Sequence, residues 1–152
     1  MTTFDTLAEM ESHVGEELGV SDWLEVTQER IDAFAEATDD RQWIHTDPEA
    51  ARDHSPYGTT VAHGFLVLSL APRFTSEAYE VQDTVMGVNY GLDRVRFPAP
   101  TPPGARLRGR VVLEGFEKIE RGARLTLGIT FELEDDEKPA CVAEFVALAY
   151  TG

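Results

Sequence analysis

Cysteine occurs once in the 152 residues, as Cys141, so no internal disulfide can form and no Cys-x-x-Cys metal or redox pair exists. Its strand-like surroundings make it a small apolar side chain. Lysine is nearly as scarce: Lys118 and Lys138 are the only two among 13 basic residues, against 28 Asp plus Glu and a formal net charge of -15. Such a surface repels nucleic acid and anionic membranes, and neither is expected as a partner. It also suits a salt-rich cytoplasm, where a Debye length of about 3 Å at 1 M blunts self-repulsion, so a halophilic source is an expectation. Long apolar runs are missing too. The longest, GFLVLSLA, falls well short of the roughly 18 residues of a membrane span, and MTTFDTLAEMESH has neither the basic start nor the apolar stretch of a signal peptide. A soluble cytoplasmic protein is the expectation, and with no internal repeat or low-complexity tract the chain reads as one domain over 1–152.

What is present divides in two. Residues 27–38, TQERIDAFAEAT, offer Thr27 as an N-cap and set Ile31, Phe34 and Ala35 on one helical face, ending near Asp39. A second short helix is predicted from Asp47 as cap and Pro48 in the first turn. HGFLVLSLAPRF then reads as a third helix, apolar on nearly every face and therefore central, with Pro72 kinking it or ending its regular part. The second half is strand-like. TVMGVNYG, DRVRF, ARLRGRVVLEGFEKIE, ARLTLGITFELED and PACVAEFVALAYT are rich in Val, Leu, Ile and aromatics, and Leu125, Leu127, Ile129, Phe131 and Leu133 alternate as a half-buried antiparallel strand requires. The fold class is α+β: an antiparallel β-sheet wrapped around one long central helix.

Two features could carry chemistry. In DDRQWIHTDP, Asp40 and His45 lie five residues apart across a helix end, close enough to converge. A histidine with an ordinary pKa of about 6.5 exchanges protons near neutrality, and a carboxylate beside it can fix its tautomer or hold a water. Spacing alone favours a plain helix end and a loop histidine. In AHGF, Gly64 at the mouth of the central helix leaves a main-chain N–H free and lets a ligand approach, as an oxyanion hole requires. Close packing at a helix entrance would also call for glycine there. Asp40, His45, Asp47, His54 and His63 are ligand types, but with no HExxH spacing and no cysteine pair no metal is expected.

Three stretches in order, FAEATDDRQWIHTDPEAA, PYGTTVAHGFLVLSL and YGLDRVRFPAPTPPGARLRG, resemble the MaoC-like dehydratases, or (R)-specific enoyl-CoA hydratases, and within them the branch similar to nodulation protein N. The resemblance implies a hot-dog fold and a homodimer acting on a 2-enoyl-CoA or 3-hydroxyacyl-CoA thioester. It implies no metal and no cofactor, because the thioester is itself the electron sink. It maps the family's acid/base pair onto Asp40 and His45, its carbonyl-polarising N–H onto Gly64, and substrate contacts onto His63 and Ser69. Many relatives carry Asn-Pro where this chain has Gln42 and Trp43. Gln42 can orient the histidine loop by hydrogen bonding, and Trp43 adds an apolar wall against the substrate.

The alternatives are a hot-dog acyl-CoA thioesterase and a non-catalytic acyl-thioester-binding protein. Arg94, Arg96, Arg106, Arg108 and Arg110, spaced in steps of two within each group, read either as a solvated strand face or as a patch for the phosphates of CoA.

Overall fold

The computed structural model describes residues 1–152. The chain runs through β1 (Thr2–Phe4), a 3-10 helix (Leu7–His13), β2 (Glu17–Val20), β3 (Leu24–Glu25), α1 (Gln28–Thr38), α2 (Trp43–Thr46), α3 (Pro48–His54), α4 (Gly64–Ser69) and α5 (Ala71–Ala78). Five strands follow: β4 (Tyr79–Val81), β5 (Thr84–Arg96), β6 (Arg106–Ile119), β7 (Gly122–Leu133) and β8 (Cys141–Thr151). The main sheet is wholly antiparallel in the order β2-β6-β7-β8-β5, with β3 also paired to β6, while β1 and β4 form a separate parallel pair.

The alternation read in β7 is the alternation found: Leu125, Leu127, Ile129, Phe131 and Leu133 are buried and the residues between them are not. Leu107, Val111 and Leu113 of β6 join them from the neighbouring strand. On this face lies α5. Its Phe74 is fully buried and meets Phe131 edge to face at 5.7 Å between ring centroids. The helix comes this close because β6 has a glycine beneath it: a Cβ on Gly109 would stand 2.5 Å from the Cβ of Phe74. Removing a buried phenylalanine such as Phe74 costs roughly 3–5 kcal/mol, so this contact is a principal tie between helix and sheet. Cys141 is fully buried in β8, and burial pushes its thiol up to about 12, in keeping with an apolar role.

The central helix differs from the expectation of one long element. It is broken at Leu70 into α4 and α5, and Pro72 falls in the first turn of α5, where a missing N–H costs nothing. Nor is it buried all round. Leu66 and Val67 face the core while Phe65 is 73% exposed, because a single sheet can cover only one side of a helix. Thr27 caps α1 through its hydroxyl, which accepts from the Arg30 N–H at 3.1 Å, and Asp47 caps α3 at 3.0 Å with Pro48 behind it, both as read from the sequence.

Candidate active site

Asp40, His45 and His63 come from separate segments, yet their side-chain ligand atoms all lie within 4.8 Å of one another. α1 stops because Asp39 adopts the left-handed conformation, φ 62°, ψ 14°, which a short polar side chain tolerates better than most. The Asp39 carboxylate accepts a 2.8 Å hydrogen bond from Arg41, whose guanidinium also donates to Glu36 at 2.8 and 3.1 Å. Asp40 has no such cation, so of the two neighbouring carboxylates it is the one left free for chemistry.

His45 belongs to α2, a single turn where the sequence suggested only loop. Its N–H donates to the Gln42 carbonyl at 2.9 Å, and the Thr46 hydroxyl donates back to the carbonyls of Arg41 and Gln42 at 3.3 and 3.2 Å. The ring Nδ1 lies 2.7 Å from the Val61 carbonyl oxygen. A carbonyl only accepts, so Nδ1 carries a hydrogen and Nε2 of the neutral ring is left as the proton acceptor.

His63 is 3% exposed, and its Nε2 donates to the main-chain carbonyl of Asp40 at 2.9 Å. The same ring stacks on His45, with centroids 3.8 Å apart and planes 23° apart, and packs against Phe34 at 4.8 Å. Its Nδ1 is buried without a partner. His63 therefore braces the Asp40 backbone and the His45 ring from within. The same stacking bears on metal binding. Ring nitrogens present their lone pairs in the ring plane, and two nearly parallel planes stacked face to face cannot aim both at one ion about 2 Å away. The three ligand types do not make a coordination sphere.

Gly64 is the first residue of α4, preceded by His63 as cap, so its N–H has no carbonyl of its own helix to reach. The tip of Phe97 rests on it: a Cβ built at Gly64 would meet three ring atoms at 3.1 to 3.2 Å. Gly64 also opens on a cavity of about 320 Å³ whose lining includes Tyr57, Val61, Phe97, Pro98 and Thr101.

The other anticipated residues are placed as follows. Trp43 opens α2 with 41% of its surface exposed. Gln42 holds the His45 turn through its main-chain carbonyl, while its side chain caps nothing. Ser69 ends α4 with its hydroxyl donated to the Leu66 carbonyl of its own helix at 2.6 Å. The five arginines form no common patch. Arg94 and Arg96 lie on β5 and the other three on β6, with β7 and β8 between them. Arg106 pairs with Glu134 at 3.2 Å, Arg108 with Glu132 at 2.7 Å, and Arg110 with both Glu132 and Glu17. Burial raises the Glu132 pKa, but the hydrogen bonds and charges of Arg110 and Arg108 outweigh it and hold the carboxyl below its usual range. Those β6 cations are already neutralised by their neighbours. Sequence reading passed over Phe97, Tyr57, Gln28 and Thr60: the first two and Thr60 lie within the family-like stretches, but nothing in their residue type or spacing points to chemistry, and Gln28 lies before the first stretch.

An antiparallel sheet wrapped on a central helix, with a carboxylate and an imidazole converging beside a glycine at that helix's entrance, defines the class: a hot-dog fold of the hydratase type. Residues 9–132 match the family model described as MaoC like domain, and the chain belongs to that family. It is 47% identical over 147 residues to 3-hydroxyacyl-thioester dehydratase Z of Mycobacterium tuberculosis, covering 96% of this chain and 97% of that one. It is 46% identical to nodulation protein N of Rhizobium leguminosarum bv. viciae, covering 94% and 90%. Among solved structures, R-hydratase PhaJ1 from Pseudomonas aeruginosa superposes with a TM-score of 0.74 at 18% identity, over 98% of this chain and 88% of that one.

Proposed function

We propose that this chain adds water reversibly to 2-enoyl thioesters, giving (R)-3-hydroxyacyl thioesters, with Asp40 and His45 as the acid/base pair and CoA as the carrier. It is a hydro-lyase of the hydratase/dehydratase kind. The observation that carries the site assignment is the convergence of side-chain ligand atoms of Asp40 and His45, with His45 Nδ1 taken up by the Val61 carbonyl so that Nε2 is the nitrogen left to accept a proton. A water donating to two acceptors at about 2.8 Å each bridges atoms about 4.4 Å apart, and this is the place we assign it between the Asp40 carboxylate and His45 Nε2. As the water oxygen bonds to C3, one of the two acceptors takes its proton and the C2–C3 π electrons move toward the thioester oxygen; as the carbonyl re-forms, the proton taken from the water is delivered to C2. The Gly64 N–H matters most at that moment, when negative charge develops on the carbonyl oxygen. Trp43 borders the acyl group, and Ser69, Gln42 and His63 support the pocket around it.

Asp40→Asn and His45→Ala should each lower kcat for crotonyl-CoA hydration by about 10²- to 10⁴-fold, followed as loss of enoyl-thioester absorbance. Hydration at the wild-type rate in both variants would sink the assignment. CoA release from saturated acyl-CoA, without hydration of crotonyl-CoA by the wild type, would make the protein a thioesterase instead.

The working form we propose is a homodimer joined through β5. This strand ends the sheet with one edge unpaired and exposes Val85, Met86, Tyr90 and Leu92, an apolar edge that a second copy would cover. A salt-rich cytoplasm is the setting that the acidic, lysine-poor composition fits best.

A further inference from the structure

We infer that Gln28 and Thr60 form a positioning bracket for His45, fixing the imidazole through its own main chain and through the carbonyl that holds its ring. The proposal rests on the hydratase reading of His45 and assigns a role to two residues outside the acid/base pair.

Gln28 is the first residue of α1 and uses its whole amide. Nε2 donates to the His45 main-chain carbonyl at 2.7 Å and to the Asp32 carboxylate at 2.9 Å, while Oε1 accepts from the Thr60 hydroxyl at 2.5 Å. Both Nε2 partners are pure acceptors and the Oε1 partner is a donor, so the amide can face only one way. Thr60 is 1% exposed, which leaves its hydroxyl no bulk water as an alternative partner. The next residue, Val61, supplies the carbonyl that accepts from His45 Nδ1, and its own N–H donates to Ile44 at 3.1 Å.

His45 is thus held from two sides by one connected set of bonds. Gln28 grips the main chain on one side. On the other, Thr60 fixes the segment whose next carbonyl selects the Nδ1–H tautomer, leaving Nε2 for the water. Breaking the Gln28 to Thr60 bond frees both sides at once. A tautomer or ring position lost by even a fraction of an ångström reduces the chemical step far more than substrate binding, because the near-attack geometry is what suffers.

Gln28→Glu keeps the shape of the side chain but sets a carboxylate against two acceptors. Thr60→Val keeps the buried volume but removes the hydroxyl. Each should lower kcat by about 10- to 100-fold with KM for crotonyl-CoA within about twofold of wild type. Gln28→Glu removes the donor to the His45 carbonyl and Thr60→Val removes the donor to Gln28 Oε1, two links of one connected set, so the loss in the double variant should be clearly less than the product of the two single losses. Thr60→Ser, which restores the hydroxyl, should recover most of kcat. The downfield Nδ1–H proton resonance of His45, assigned by its absence in His45→Ala, should exchange faster with solvent in Thr60→Val and return to its slow rate in Thr60→Ser. Wild-type kcat with an unchanged resonance in Thr60→Val would overturn the proposal, as would Thr60→Ser performing no better than Thr60→Val. The resonance measurement needs no turnover, so a wild type inactive on crotonyl-CoA would count against the hydratase reading while the bracket is still decided by the spectrum.

Discussion

At the scale of single residues, the site is organised by which groups have already been used. Asp39 is committed to Arg41, His45 Nδ1 to Val61 and His63 Nε2 to Asp40, so what remains is the Asp40 carboxylate, His45 Nε2 and the Gly64 N–H, together with the buried Nδ1 of His63. Gly64 is the most exacting of these, because Phe97 occupies the space a side chain would need. Gly64→Ala keeps the N–H yet forces the ring or the helix entrance to shift by a few tenths of an ångström, and kcat/KM for crotonyl-CoA should fall by about 10-fold. Adding Phe97→Ala should restore much of that loss by removing the obstruction. A double variant as poor as Gly64→Ala alone would show that the glycine is needed for its backbone and not for the contact.

At the scale of elements, α1, α3 and β7 were legible because each carries its own signal: a threonine cap, an aspartate cap followed by proline, and a strict alternation of apolar residues. α2 was not, since a four-residue turn is too short for periodicity and is held mainly by backbone and Thr46 hydrogen bonds. The break at Leu70 was only half legible: Pro72 signalled an interruption, but its position belongs to the packing of α5 on the sheet. β5 presents a different case. Its sequence looks like two strands, yet it pairs with β8 from Thr84 to Arg96 through three register shifts and leaves its other edge open. If that edge joins two copies, lysine at both Met86 and Tyr90 should convert a dimer into a monomer in sedimentation velocity, with the far-ultraviolet circular dichroism of the fold retained. A wild type that sediments as a monomer at micromolar concentration would remove the dimer.

At the scale of the whole molecule, charge is the dominant property. With a net charge of -15, self-repulsion opposes the compact state, and added salt weakens it over a distance set by the Debye length. The Tm should therefore rise between about 0.1 and 3 M KCl, measured by differential scanning calorimetry. A Tm independent of KCl over that range would dismiss the halophilic reading. Salt also weakens the exposed ion pairs of Arg41 and Arg106, so a rise would mean that relief of long-range repulsion outweighs their loss.

The sequence by itself determined the α+β class, the two helix caps and the alternating core strand, and through its resemblance to the family it singled out the acid/base pair proposed above. Each depends on residues close together in the chain or on motifs in a recognisable order. Only the tertiary structure decided that Asp40 rather than Asp39 is unpaired, that His63 lies stacked beneath His45, and that the β6 arginines are matched by glutamates of β2 and β7 and by Glu134 just beyond β7. It also brought Gln28 to Thr60 and Phe97 to Gly64. Apart from the local Asp39–Arg41 pair, these are contacts between residues 18 or more positions apart, several of them between carboxylate and guanidinium partners on different segments. No local pattern encodes which of several equivalent side chains will meet once the sheet has closed on the helix.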